Sequence, residues 1–324
     1  MIRKILIGIA LLIVIPVAAL LAYHVATPGS GSVQMKAMKV ALRAFGKVTD
    51  PAEHLAKLRT QPPAADPMPP AFSERYTVTR TTLQGRQVVT LAPKTASSRW
   101  HVIYTHGGAF VAPITGVHWS AIDEFSRRTG ATITVPLYGV APAHTYRQAY
   151  PFLRKIYEQV LKQTPAERVV LAGDSAGGNL ALEQAIMYRD AGLPQPGRVI
   201  LFAPWLDLGL ADPAARAVEA RDPMLDVDVL RADAALWAPG ESLSSPRISP
   251  LYANLRDLPP IDLFQGTDDL FLPDARNLVR KIKQSGGQIG YYEYPGGFHV
   301  FMGVTFLPES KDVMTKVAAA LPRQ

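Results

Sequence analysis

Cysteine is missing from all 324 residues, which excludes disulfides and thiolate-ligated metal sites. The absence says little about compartment, because a chain without thiols is safe in either redox environment. No run of five or more consecutive Lys or Arg residues occurs. The formal net charge is +7, or +5 without Arg3 and Lys4, so the basic excess is mild and no nucleic-acid partner is expected. No internal repeat is present. Charged residues make up 19% and hydrophobic ones 48%, a balance that argues against disorder and for a sizeable core.

The first long apolar run is ILIGIALLIVIPVAALLAY, residues 5–23, uncharged and preceded by Arg3 and Lys4. At about 1.5 Å per residue it would span roughly 28 Å, near the thickness of a bilayer core. Cleavage sites are poor. A cut after Ala26 puts His24 at the minus-three position, and a cut after Ala22 puts Leu20 there. The expectation is therefore an uncleaved membrane anchor with the catalytic domain outside the cytoplasm; a secreted, cleaved form is the alternative. A spacer, TPGSGS, ends this unit at residue 32.

Residues 33–74 are expected to form a helical segment and a proline-rich connector. In VQMKAMKVALRAFGK, Met35, Met38, Leu42 and Phe45 share one helical face, and Lys36, Lys39, Arg43 and Lys47 another. Such a helix either packs on the globular domain with a solvated basic side or lies on a membrane surface. QPPAADPMPP marks a boundary.

From residue 75 to 324 strand and helix patterns alternate. A hairpin around Gln84-Gly85 comes first. Strands follow at WHVIYT, ATITVPL, RVVLAG, RVILFAPW, IDLFQG and QIGYYEYP, separated by helical patterns of 10–15 residues. This predicts an α/β fold with a mainly parallel sheet covered on both faces. Residues 207–258, rich in Pro, Asp and Ser, break the rhythm and read as an insertion over one end of the sheet.

GDSAGG, residues 173–178, fits G-x-S-x-G between a strand and a helix. Glycines at 173 and 177 remove the Cβ atoms that would clash in so sharp a turn. Ser175 is then presented at the carboxyl edge of the sheet, where the next helix points its free N–H groups and positive end. A serine hydroxyl needs a base. Of seven histidines, His299 in YPGGFHVF follows the last strand, whereas His24 adjoins the apolar run, His54 lies in the N-terminal region and His101 within a strand. The base needs a carboxylate on a loop after a strand, and GTDD offers Asp268 and Asp269. Asp274 falls in the next helix and Asp262 at a strand start. THGGAF, residues 105–110, has the small residues that let backbone N–H donors approach a developing oxyanion, each worth roughly 3–4 kcal/mol.

Together these segments resemble the hormone-sensitive-lipase-like branch of the α/β-hydrolase esterases, which carries HGGGF ahead of GDSAGGNLA. Here GDSAGGNLA matches from Gly173 to Ala181. PLYGVAPAHTYRQAYP, GTDDLFLPDA and GGFHVF resemble further segments of that family, over roughly residues 75–320. The resemblance implies an α/β-hydrolase fold with a cap built from N-terminal helices and an insertion. It implies Ser175 as nucleophile, His299 as base, and Asp269, three residues after the glycine, as acid. It implies oxyanion donors from Gly108, Ala109 and Ala176, and no metal or organic cofactor. Ala109 stands where the family has glycine; its donor is expected to survive if φ is negative there. The expected activity is hydrolysis of short to medium acyl, acetyl or lactone esters of apolar compounds through an acyl-enzyme. An amidase or peptidase with the same triad, or a non-catalytic binding protein on this fold, are the alternatives.

Overall fold

A computed structural model describes residues 29–323. One sheet holds eight strands: β1 (Tyr76–Leu83), β2 (Arg86–Pro93), β3 (His101–Thr105), β4 (Thr132–Pro136), β5 (Val169–Asp174), β6 (Arg198–Phe202), β7 (Ile261–Gly266) and β8 (Ile289–Tyr294). Their order is β1-β2-β4-β3-β5-β6-β7-β8. The hairpin β1–β2 and the β2–β4 pair are antiparallel, and all later pairs are parallel.

Helices α1 (Val33–Phe45), α2 (Pro51–Thr60) and α3 (Phe72–Arg75) precede the sheet. Helices α4 (Gly116–Thr129), α5 (Tyr146–Val160), α6 (Ala176–Asp190), α7 (Ala214–Glu219), α8 (Val227–Trp237), α9 (Leu272–Gln284) and α10 (Pro308–Ala320) lie between or after the strands. The central strands are apolar at nearly every position because both faces are covered. Successive side chains serve opposite cores: Leu171 and Leu201 pack with α5 and α6 residues such as Leu153 and Leu180, whereas Val170, Ile200 and Phe202 pack with Phe125 of α4 and Val313 of α10. Helix starts follow local chemistry. The Thr145 N–H donates to Gln148 Oε1 at 2.9 Å to open α5, and prolines begin α9 and α10 at their first turns.

The insertion is more regular than its composition suggests, for it contains α7 and α8. Asp226 caps α8 by accepting from the N–H groups of Asp228 and Val229. Helix α2 packs on α8, and His54 Nε2 meets the buried Asp233 carboxylate at 2.8 Å. The two segments expected to form a cap thus touch.

Two expectations are corrected. The membrane-anchored placement is one: among the described residues no helix is long and apolar enough to cross a membrane. The apolar run 5–23, on which that expectation and the N-terminal apolar helix rested, lies outside the described residues. The second concerns α1. It packs on the globular domain through Met35, but its basic row is only partly solvated: Lys36 and Lys39 are buried, while Arg43 is exposed. Phe45, placed on its apolar face, is 90% exposed. Lysine stems can be covered while their heads find oxygen partners. Here Lys39 Nζ meets Asp268 at 2.6 Å, and Lys47 Nζ donates to the carbonyls of Glu219 and Leu225 at 3.2 and 3.0 Å.

Candidate active site

At the carboxyl end of β5 the chain reverses straight into α6, and Ser175 sits at the corner with φ 52 and ψ −120. A non-glycine residue there costs on the order of 1–3 kcal/mol, so the surroundings must impose it. They do so through backbone contact. A Cβ at Gly173 would lie 2.3 Å from the Gly177 carbonyl, and one at Gly177 would lie 2.0 Å from that of Thr105. The Ser175 N–H donates to Phe202 O at 2.9 Å, and its carbonyl accepts from Trp205 at 3.0 Å and Asn179 at 3.1 Å.

The turn brings Ser175 Oγ within 2.9 Å of His299 Nε2. His299 Nδ1 lies 3.0 Å from Asp269 Oδ2. The other Asp269 oxygen accepts the Phe271 N–H at 2.9 Å. Ser175 and His299 are each only 6% exposed, and Asp269 is fully buried. Burial disfavours a charged imidazole. The Asp269 carboxylate and its hydrogen bond, with Asp222 and Asp174 farther off, outweigh this and hold His299 above the ordinary histidine range. Of the two aspartates left open by the residue pattern, Asp269 meets the histidine. Asp268 turns away to Lys39 and, at 3.4 Å, to Arg221. Asp274 and Asp262 stand elsewhere; Asp262 pairs with Arg198.

Beside Ser175 lies the loop after β3. The N–H groups of Gly108, Ala109 and Ala176 donate to no protein acceptor among the described hydrogen bonds. The condition set for Ala109 is not met, yet its N–H still has no protein acceptor among the described hydrogen bonds, so a free donor does not require a negative φ there. Its φ is 52, and Phe110 follows at 63. Gly108, at φ 112, is fixed by the Ala112 backbone, 2.5 Å from where a Cβ would be. Sequence reasoning missed the groups that hold this loop. Asp174, the variable residue of the serine motif, accepts from Gly107 N–H at 3.1 Å and Tyr104 O–H at 2.8 Å. His118 Nε2 approaches the same carboxylate at 3.3 Å. Burial would raise the Asp174 pKa; the charge and hydrogen bond of His118, with Tyr104, bring it below the usual value. Tyr138 O–H donates to His106 O at 2.7 Å. Only Asp174 had a signal, its place inside the motif. His118 lies in an ordinary helical stretch.

A row of rings leads away from the imidazole. Phe271 meets His299 edge-on at 5.1 Å, Trp205 stacks on Phe271 at 5.8 Å, and Phe110 lies 5.6 Å from Trp205 and stacks on Trp237 at 4.6 Å. All four aromatic side chains are fully buried. Among the described residues no cluster of three or more His, Asp or Glu is arranged to hold a metal.

Residues 102–303 match the family described as alpha/beta hydrolase fold. An acetyl-hydrolase of Streptomyces hygroscopicus is 30% identical over 222 residues, covering 68% of this chain and 74% of its own. The hormone-sensitive lipase of Ictidomys tridecemlineatus is 29% identical over 171 residues, half of this chain and 22% of that one. Among solved structures, EstE5 soaked with p-nitrophenyl butyrate superposes with a TM-score of 0.77 at 25% identity, over 90% of this chain and 98% of that one.

Proposed function

Because the chain belongs to the hormone-sensitive-lipase-like branch of the alpha/beta-hydrolase family and is a serine ester hydrolase, we propose that Ser175 is its nucleophile, His299 its base and Asp269 its acid. The observation that carries this reading is the pair of hydrogen bonds, 2.9 and 3.0 Å, joining three side chains from separate parts of the chain. Ser175 Oγ attacks the ester carbonyl as its proton passes to His299 Nε2. The new oxyanion is held by the N–H groups of Gly108, Ala109 and Ala176, which donate to no protein acceptor among the described hydrogen bonds. The C–O bond to the alcohol breaks, and His299 returns the proton to that oxygen. Water, deprotonated by the same imidazole, then attacks the acyl-enzyme; the carboxylic acid leaves and Ser175 regains its hydrogen.

The buried ring of Phe271 packs against His299, and Trp205 and Phe110 continue an apolar row beside it. This apolar surrounding suits short to medium acyl, acetyl or lactone esters, in keeping with the acetyl-hydrolase and with the butyrate ester soaked into EstE5. Residues 33–74 and 207–258 act as one cap over the catalytic unit, through contacts such as His54 with Asp233. Labelling with a serine-directed fluorophosphonate, and rates on p-nitrophenyl esters against the matching anilides, test the reading. Labelling of Ser175 with turnover of esters only is expected. Absence of labelling would point to a binding protein, and comparable anilide turnover to an amidase.

A further inference from the structure

A second carboxylate, which the mechanism above does not use, is buried next to the triad. Asp222 belongs to the insertion, is 4% exposed, and is fully engaged with backbone donors. Its Oδ1 accepts from the N–H groups of Met224 and Leu225 at 2.8 and 3.0 Å. Its Oδ2 accepts from Leu270 N–H at 2.8 Å. Leu270 directly follows Asp269, so the bond from the insertion is made one residue from the carboxyl that meets His299. The insertion segment is itself tied down. Arg43 of α1 donates to the Arg221 carbonyl at 3.2 Å, and Lys47 holds the carbonyls of Glu219 and Leu225. On the other side, the Asp268 N–H donates to Gly297 O at 2.9 Å, joining the acid loop to the loop that carries His299.

We propose that Asp222 is a positioning residue of the triad: a carboxylate supplied by the insertion that locks the acid loop through Leu270 and adds a second negative charge behind His299. The proposal rests on the assignment of Ser175, His299 and Asp269 above. Its first part is geometric. Asp269 has one oxygen for His299 and one for Phe271 N–H, so its direction depends on the path of residues 268–271. A loop shift of about 1 Å can cost on the order of 10²-fold in rate.

Its second part is electrostatic. Burial, and then the charge of Asp269, push Asp222 up to about 6, and the Asp222 charge, after that of Asp269, favours the charged form of His299. The other charges packed around this pair are Asp174 behind Ser175, Asp268 with its partners Lys39 and Arg221, and Lys47 against the Glu219 and Leu225 carbonyls. His299 must be neutral to accept the serine proton, so activity falls as pH drops through its pKa. A negative Asp222 raises that pKa. Removing the charge therefore moves the acid limb of the profile to lower pH.

The test compares Asp222→Asn and Asp222→Ala with the wild-type enzyme on p-nitrophenyl acetate. Asp222→Asn is expected to shift the acid limb of kcat/KM down by about half a unit to one unit. Its kcat should fall about 10-fold with KM nearly constant, and that of Asp222→Ala about 10²-fold. Folded variants that keep the wild-type limb overturn the proposal, even if their stability falls, because a merely structural role lowers Tm without moving His299. Should neither variant fold, the wild-type protein decides: the downfield Nδ1 proton of His299, followed by NMR, is expected to titrate with two inflections, and a single one overturns the idea. Fluorophosphonate labelling of wild-type Ser175 separates the two levels. No labelling sinks the active-site assignment itself, whereas a labelled enzyme indifferent to Asp222 sinks this inference alone.

Discussion

The two halves of the site are held by different forces. On the nucleophile side, between β3, β5 and α6, the serine turn is set by backbone against backbone, and the Asp174 carboxylate holds the neighbouring loop at Gly107. Gly173 and Gly177 admit no Cβ, and Ser175 is locked at φ 52 by bonds to Phe202, Trp205 and Asn179. On the acid–base side, position is set by charge and by distant segments: Asp222 from the insertion, Lys39 from α1, and the Asp268–Gly297 bond between two loops. The first kind of site is rigid because atoms cannot overlap. The second is adjustable, because side chains on other elements decide where its loop rests.

The comparison is broken most sharply at the reacting atoms, where both halves should fail alike. Ser175→Ala and His299→Ala are each expected to lower kcat by on the order of 10⁴–10⁶-fold with the fold intact. Single-turnover rates alongside circular dichroism check this. If only one of them were severe, the two residues would not act as one unit. Next comes the acid. Asp269→Asn should cost about 10⁴-fold, since an amide leaves the imidazole in the wrong tautomer. Asp268→Asn, whose carboxyl meets Lys39 and not His299, should cost less than about 10-fold. The reverse ranking in kcat would mean that the acid had been misassigned.

This division also explains what was legible in the sequence. The nucleophile elbow is a local object. Gly173, Ser175 and Gly177 lie within five residues, so a motif carries the whole geometry. The strands were equally legible, because β3, β5, β6 and β7 are short and mostly apolar, with Val, Ile, Leu and Phe at their centres. The choice between Asp268 and Asp269 was not contained in residue pattern alone. It depends on which neighbour faces Lys39, about 230 positions away. Asp222 was invisible for the same reason: it sits in a stretch whose composition announces loops, and its partner Leu270 is 48 residues on. The basic row of α1 misled, because periodicity shows that lysines share a face but not what that face meets.

Stability separates the halves further. Gly177→Ala would drive a methyl to 2.0 Å from the Thr105 carbonyl, with only backbone to yield, and should destabilise by on the order of 3 kcal/mol. Lys39→Met keeps the bulk of the stem and removes the ammonium. Asp268 still has Arg221 at 3.4 Å, so the loss should be about 1–2 kcal/mol, less than for a buried pair left with no partner. Urea denaturation of the two variants checks the order. A larger loss for Lys39→Met would place the more rigid constraint on the acid–base side.

The smallest effect tests whether the nucleophile side is strained everywhere it is tight. Ala109 adopts φ 52, a left-handed conformation that costs an alanine about 1 kcal/mol and a glycine almost nothing. Ala109→Gly removes that cost but loosens the unfolded chain, so a net gain of about 0.5 kcal/mol is expected. The N–H stays in place, since the loop is held by Asp174 at Gly107 and by Ala112 at Gly108. Activity should therefore stay within about 2-fold of wild type while Tm rises slightly, as calorimetry would record. A drop in kcat with unchanged KM would show that the methyl itself braces the oxyanion loop, beside the Asp174 carboxylate at Gly107.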